Sequence, residues 1–431
     1  MILFVIFIAF SCSDARAALH LSLNDAVDKA LEASSQIKSA ESDVMSADHQ
    51  AAAQMTYLLP RLTFDANYRY VTNVPSVTLG PLGTIQFGDY NNYSVGPTLS
   101  YTLWDTGLAR DSWNSFKNLA EARKQDLENA KIQIQLSSRL AYFRVQLAIE
   151  ELKLVTDSLK VSNAQYKDIS DRFAAGASSR TDQLDAHREA QSMELNLEQD
   201  QANLELAYRD LSALLLADTQ AAELDPLEET YKSFASANFS PPGEEHPRIR
   251  SLQHVATASH LASESQSSSL WPTLQVSARA SYEYPNTILL ASYEQNTVQA
   301  TLTMPLFEWS RTRHLSSEKE AEAISTEYRR EQLKTDLQRD WDKTKIQLET
   351  YRRQRTLNAE MVGETEEISR LIYSSYKNGR TNYLDVQSAN LRALEAKVQA
   401  ARTTAQFLIQ SATLESLSKS NPIHSGVSTH E

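Results

Sequence analysis

Four stretches of the chain alternate apolar and polar residues one by one. Much longer stretches around them carry apolar residues at helical spacing. In the first of the four, Leu62, Phe64, Ala66, Tyr68 and Tyr70 alternate with Thr63, Asp65, Asn67 and Arg69. In the second, Tyr93, Val95, Leu99, Tyr101 and Leu103 alternate with Ser94, Thr98, Ser100 and Thr102. The third sets Leu274, Val276, Ala278, Ala280, Tyr282 and Tyr284 against Gln275, Ser277, Arg279, Ser281 and Glu283. The fourth sets Val298, Ala300, Leu302, Met304 and Leu306 against Thr297, Gln299, Thr301 and Thr303. Period two predicts strands with one apolar and one polar face. The predicted strands cover about 61–71, 93–104, 273–284 and 296–307. Each has about 10 to 12 residues, enough for a tilted strand to cross a bilayer. Tyr and Trp gather near the ends, as in an interfacial girdle. A soluble half-buried sheet would account for one such segment. It accounts poorly for four with charges on the same polar face.

The remaining pattern predicts long helices over 107–174, 181–216, 310–377 and 381–418. No Gly or Pro falls between Gly107 and Gly176, or from Leu306 to Met361. The first long helix would run about 100 Å at ~1.5 Å per residue. Its successor carries a heptad seam, Ala190, Leu197, Leu204 and Leu211, beside Ala186, Met193 and Leu214. Ala393, Ala400, Phe407 and Leu414 repeat it, and such seams mark coiled-coil packing. Each long helix is expected to turn back at a glycine, in Ala174-Ala175-Gly176-Ala177-Ser178 and Lys377-Asn378-Gly379-Arg380-Thr381. Thr181 and Asp182 suit the start of the next helix. With the strands in a membrane, the turns would lie about 100 Å from it.

The two halves of the chain are copies. A shift of 203 residues lays Val95–Asp105 on Val298–Glu308, Phe173-Ala-Ala-Gly176 on Tyr376-Lys-Asn-Gly379, and Asp182 on Asp385. Leu211 and Leu214 fall on Leu414 and Leu417. Upstream, Pro60-Arg61-Leu62 matches Pro272-Thr273-Leu274, and a loop around Val71 to Asn92 absorbs the difference in length. Repeat 1 therefore spans 18–216 and repeat 2 spans 248–418, each in the order helix, strand, loop, strand, long helix, turn, helix. The proline-rich piece 217–247 reads as a linker with little regular structure, and 419–431 as a tail.

The ends and the composition add a location. Ile2 to Phe10 is apolar and is followed by Ala15-Arg16-Ala17, so 1–17 reads as a secretory signal peptide. A lipoprotein site at Cys12 is the rival reading, poorly served by the preceding Ala9-Phe10-Ser11. Cys12 is the only cysteine, so the mature chain has no disulfide chemistry. No later stretch is apolar enough for a transmembrane helix. The net charge of -13 is spread along the chain without a basic stripe, which argues against nucleic acid. The nine histidines follow no metal-ligand spacing, and no nucleophile motif or phosphate loop occurs. Catalytic residues, metals and cofactors are therefore not expected.

An open sheet edge cannot stand in lipid, because its backbone groups would lack partners. Four strands cannot close a barrel, since the smallest membrane barrels have about eight. Several identical chains must share one.

This layout resembles the TolC family of outer-membrane efflux and secretion channels. The resemblance runs from Leu21-Ser-Leu-Asn-Asp-Ala-Val to about Leu417. It rests most on the paired Gly-x5-Asp turns, Gly176 to Asp182 and Gly379 to Asp385. The corners Trp104-Asp105-Thr106-Gly107 and Phe307-Glu308-Trp309-Ser310 add to it. It implies a mainly α fold with transmembrane β. Each chain would be a tandem-repeat subunit of a trimeric 12-stranded barrel in the outer membrane, continued through the periplasm by a helical coiled-coil barrel with an iris-like tip. It also implies a periplasmic adaptor (membrane fusion) protein and an inner-membrane transporter of the RND or ABC type. Thr181, Asp182 and Tyr376 match positions that link the closed tip, and Asp385 matches an acidic ring at the constriction. A gating arginine is expected at Thr381 and a second acidic ring at Ser388; Arg380 stands one residue before the first of these. Gly176, Ala177, Gly379 and Arg380 would form the adaptor-docking turns. Locally, Asp182 and Asp385 also serve the first turn of a helix, where a carboxylate contributes a few tenths to about 1 kcal/mol.

The expected function is a passive export conduit. An outer-membrane enzyme lacks visible catalytic groups. A structural coiled-coil surface protein leaves the paired strands unexplained. Drug efflux and protein secretion read alike in these residues.

Overall fold

The computed structural model describes residues 20–219, 222–287 and 289–418. The expected leader 1–17 with Cys12, and the expected tail 419–431, lie outside the described residues. The chain runs β1 (His20–Leu21), α1 (Leu23–Ala33), α2 (Ser35–Met55), β2 (Arg61–Tyr70), β3 (Ser76–Thr78), β4 (Thr84–Gln86) and β5 (Asn91–Trp104). It continues through α3 (Leu108–Ala174), α4 (Arg180–Leu215), β6 (Glu223–Leu224), α5 (Leu227–Ala235), α6 (Pro247–Ser268), β7 (Thr273–Tyr284), β8 (Tyr293–Thr303), α7 (Arg311–Lys377) and α8 (Tyr383–Leu417). The two long helices, α3 and α7, have 67 residues each. At ~1.5 Å per residue each is about 100 Å of unbroken helix.

Three expectations need correction. The fourth strand is Tyr293–Thr303 and not 296–307. Pro305 has no N–H to give a ladder, so the strand stops before it. The linker 217–247 holds a strand, β6, and a helix, α5, that begins just after Pro226. Proline is tolerated there because the first turn of a helix needs no N–H partner. The loop around Val71 to Asn92 contains the small hairpin β3–β4.

Compactness does not follow the repeats. One compact unit takes Ser39–Asn129 and Pro247–Lys334. It contains a four-stranded antiparallel sheet in the order β2-β5-β7-β8. Beneath it, hydroxyls of small residues bridge the helices. Ser115 donates to the Ala258 carbonyl at 2.7 Å and Ser265 to the Leu108 carbonyl at 2.9 Å.

The other unit takes the chain up to Lys38, Ala130–His246, and Thr335 onward. Its main core gathers Tyr142, Phe143, Leu211, Trp341, Phe407 and Leu408. The Tyr142 hydroxyl donates to the Leu21 carbonyl at 2.9 Å and receives the Asp225 N–H at 3.0 Å. That bond fixes the place where β1 and β6 pair in parallel. From α5, Tyr231 lies over Phe407 with centroids 4.9 Å apart.

Candidate functional site

Two places in the chain could carry function, one in each unit. The first is the sheet. Its apolar positions fall on one face across all four strands: Leu62 stands opposite Leu99, Leu99 opposite Ala278, and Ala278 opposite Val298. That face is bare, with Leu62 71%, Phe64 72% and Val298 79% exposed. A continuous apolar surface of this kind marks contact with lipid or protein. Toward the β7–β8 turn it is edged by Tyr93 and Tyr284, stacked at 5.0 Å and 9°. The opposite face is polar and internally bonded. Thr98 donates to Asp65 at 2.9 Å, and Arg279 donates to Ser94 at 2.8 Å. Within the sheet β2 and β8 have one neighbour each, so the chain presents two open edges.

Gly96 lets β5 and β7 approach. A Cβ there would stand 2.0 Å from the Ala280 carbonyl oxygen, and the register between the strands skips Gly96 and Pro97. The corners leading out of the sheet are built alike in both repeats. Thr106 and Gly107 take φ 57° and 97°, and their equivalents Trp309 and Ser310 take 47° and 63°. Two successive left-handed residues turn the chain sharply into a helix. The Asp105 carboxylate then accepts from the N–H groups of Gly107 and Ala109 at 3.0 and 2.9 Å, capping α3. Glu308 instead accepts from the Thr312 hydroxyl. Among the described residues no helix is long and apolar enough to cross a membrane.

The second place is the helical tip. Both helix ends close in the same way. The Ala177 N–H reaches the Arg172 carbonyl at 2.7 Å and the Gly176 N–H reaches Phe173 at 2.9 Å. Arg380 to Ser375 at 3.0 Å and Gly379 to Tyr376 at 2.9 Å repeat the pair. The glycines have φ 74° and 68°, the left-handed cap that only glycine adopts without cost. The next helices are capped by Ser179 and Asn382, which accept from the N–H of Asp182 and of Asp385. Thr181 and Asp182 are thus the second and third residues of α4, not its cap.

The structure brings Asp182 and Tyr376 together. The Tyr376 hydroxyl donates to Asp182 at 3.3 Å, and Ser178 donates to the same carboxylate at 3.3 Å. Ser178 and Tyr376 are themselves 3.1 Å apart. Burial pushes the Tyr376 phenol up, and the Asp182 charge adds to this, so it stays protonated as a donor. Asp385 does not join the group; its carboxylate accepts from Thr381, four residues earlier. Thr181 and Arg380 are exposed, as are Gly176, Ala177 and Gly379.

Sequence reasoning missed Ser178. The signal was available, because the repeat lays Ser178 on Thr381 and both hydroxyls donate to the carboxylate four residues on. It also missed Asp168, which accepts from the Tyr373 hydroxyl at 2.9 Å and lies 3.7 Å from Lys377. Below the tip the helices meet through a polar layer in which Asn390 donates to Gln165 at 2.9 Å and accepts from Ser369 at 2.7 Å. The buried cluster of Ile169, Ala186, Tyr376, Tyr383 and Val386 packs beside it. No group of three or more His, Cys, Asp or Glu that could hold a metal occurs among the described residues.

The family described as "Outer membrane efflux protein" matches residues 26–215 and 244–418, one stretch in each repeat. No curated protein matches the sequence. Among solved structures, the chain is similar to a membrane protein from Pseudomonas aeruginosa at 20% identity, covering 92% of this chain and 93% of that one, with TM-score 0.78. It is similar to the Vibrio cholerae outer membrane protein VceC at 17% identity, with coverage of 92% and 95% and TM-score 0.76. The Campylobacter jejuni CmeC outer membrane channel matches at 17% identity, with coverage of 92% and 86% and TM-score 0.75. At these identities the likeness is one of fold.

Proposed function

Because the chain belongs to the outer membrane efflux protein family, we propose that it is one subunit of a trimeric conduit through which a partner exports solutes or proteins. The family places it in the outer membrane, extending into the periplasm, as a passive channel and not an enzyme. The observation that carries the finer reading is the sheet with one apolar face and two open edges. Lipid tolerates neither edge, so neighbouring copies must supply the missing strands. Three copies of four strands give a barrel of twelve, an even number in the range that membrane barrels use.

The tip serves as the gate. Asp182, Tyr376 and Thr181 form or flank the latch, Asp385 lines the constriction, and Arg380 supplies the nearby positive charge. The turns at Gly176, Ala177, Gly379 and Arg380 dock a periplasmic adaptor, which couples the conduit to an inner-membrane RND or ABC transporter. Tripartite efflux and type I secretion both use such a path. A structural coiled-coil protein would have no use for the bare sheet face.

Planar-bilayer recording tests this reading. Purified protein in detergent should insert as a trimer and give discrete conductance steps. A water-soluble monomer that gives no steps would reject it.

A further inference from the structure

Below the tip, α3, α4, α7 and α8 leave between them a cavity of about 620 Å³. All its walls belong to the unit that holds the tip. Part of the lining is apolar, with Met193 from α4 beside Val161 from α3 and Leu391 from α8. Val161 and Leu391 are 50% and 45% exposed, so this wall is bare.

The charged groups of the lining are matched, with one exception. Lys397 pairs with Glu366, and Arg370 lies beside the same carboxylate. Lys377 stands 3.7 Å from Asp168, and Asp157 meets Lys160 at 3.0 Å. The exception is Glu189. It is only 7% exposed, and its carboxylate accepts from the Gln387 amide alone. No Lys, Arg or His among the described residues forms an ion pair with it. The adjoining Arg188 turns instead to Asp185 at 4.0 Å and to the Gln387 carbonyl at 3.4 Å. A buried carboxylate with a single neutral partner is costly, and an opposite charge would offset that cost. The scaffold does not require an acid here. The 203-residue shift lays Glu189 on Arg392, which is exposed.

We propose that this cavity binds an organic cation with an apolar body, its charged nitrogen on Glu189 and its body against Val161, Met193 and Leu391. The volume suits a drug-sized molecule, and a mostly apolar wall with one placed charge is the usual composition of such sites. An anion would meet the Glu189 charge. A metal ion needs several converging charged oxygens, and no group of three or more His, Cys, Asp or Glu that could hold one occurs among the described residues. The site lies within one chain and does not use Asp385, so it goes beyond the conduit reading. A ligand that fits only this arrangement of the four helices stabilises it by mass action.

Fluorescence titration of detergent-extracted protein with proflavine, a flat aromatic cation, tests the site. Saturable binding of one dye per chain is expected. Acridine, the same ring system without charge above neutral pH, should bind at least about tenfold more weakly. Glu189→Gln keeps the shape and an acceptor for Gln387, and should lower proflavine affinity by about tenfold or more. Leu391→Trp narrows the cavity from an exposed position and leaves Glu189 in place; it should weaken binding as much. Where Glu189→Gln does not assemble, Leu391→Trp decides. Asp385→Asn should leave the affinity unchanged. Absence of saturable binding, or binding undiminished by Glu189→Gln, would overturn the site. Binding lost in Asp385→Asn alone would put the dye at the constriction, overturning the site and leaving the conduit reading intact. Bilayer conductance of the same preparations judges the conduit reading separately.

Discussion

The Tyr376 hydroxyl donates to the Asp182 carboxylate at 3.3 Å, which ties the last turn of α7 to the first turn of α4. Ser178 shares that carboxylate, so two hydroxyls from different hairpins meet one charge.

Removing the Tyr376 hydroxyl should loosen the tip. Tyr376→Phe keeps the ring against Tyr383, whose centroid is 5.7 Å away, but deletes the hydrogen bond. A net loss of about 1 kcal/mol is expected, roughly a fivefold rise in open probability in single-channel recordings. The neighbour has the opposite sign. The Tyr383 hydroxyl is buried with no hydrogen-bond partner among the described residues, so Tyr383→Phe should stabilise this arrangement of the tip by about 1 kcal/mol or more. Because the Tyr376 phenol is raised above its ordinary 10.0, the latch should be complete below pH 10 and fail only as pH rises through the raised value.

Asp385 is exposed and bonded only locally, to Thr381 and the Asn382 cap. Three such carboxylates around an axis would repel one another and attract cations. Asp385→Asn should therefore weaken block of the pore by multivalent cations. Unchanged block in bilayer recordings would exclude an acidic ring at this position.

At the turns, nothing among the described residues stands within 4 Å of where a Cβ would sit on Gly176 or Gly379. A larger side chain therefore projects outward, at a backbone cost of about 1 kcal/mol. Gly176→Lys and Gly379→Lys should leave trimers intact on native gels and abolish export in cells. Normal export would exclude the turns as the docking surface.

Gly96 should tolerate no side chain. A Cβ would come within 2.7 Å of the Ser281 Cα as well as meeting the Ala280 carbonyl. Gly96→Ala should cost at least about 1–3 kcal/mol by forcing β5 from β7. Lower thermal stability of the detergent-extracted trimer would show it.

The corners predict a pair of opposite effects. Ser310 occupies the left-handed site that Gly107 fills in the other repeat. Ser310→Gly should stabilise the chain by about 1 kcal/mol and Gly107→Ala should destabilise it by a similar amount. Melting temperatures of the two variants should move in opposite directions.

The long helices and the two faces of the sheet were legible in the sequence. Apolar residues at helical spacing, in a run without Gly or Pro far longer than any strand, leave helix as the regular option for α3. Alternation puts each strand's apolar residues on one side, and the register that matches those sides sets Leu62, Leu99, Ala278 and Val298 on the same face. Tertiary context decided the rest. The segment Leu227–Ala235 has Leu227, Tyr231 and Phe234 at helical spacing, but the prolines around it suggested a linker. It is helical because Tyr231 and Phe234 find aromatic partners in Phe407 and Phe143. Apolar alternation continues through Met304 and Leu306, yet Pro305 ends the ladder. At the tip, the resemblance grouped Thr181, Asp182 and Tyr376 and set Asp385 apart. The fold adds the contact itself, a Tyr376 hydroxyl on the Asp182 carboxylate across 194 residues of chain, joined by Ser178 while Thr181 stays exposed.

The open edges of the four-stranded sheet also bear on the chain's life before it reaches the membrane. A freshly exported copy has rows of unpaired N–H and C=O groups on β2 and β8 and a greasy face between them. Completing the wall is then a reaction among several molecules, and its rate falls faster than their concentration. A cell that halves synthesis would lose more than half its rate of assembly. The stragglers would be substrates for periplasmic chaperones and proteases.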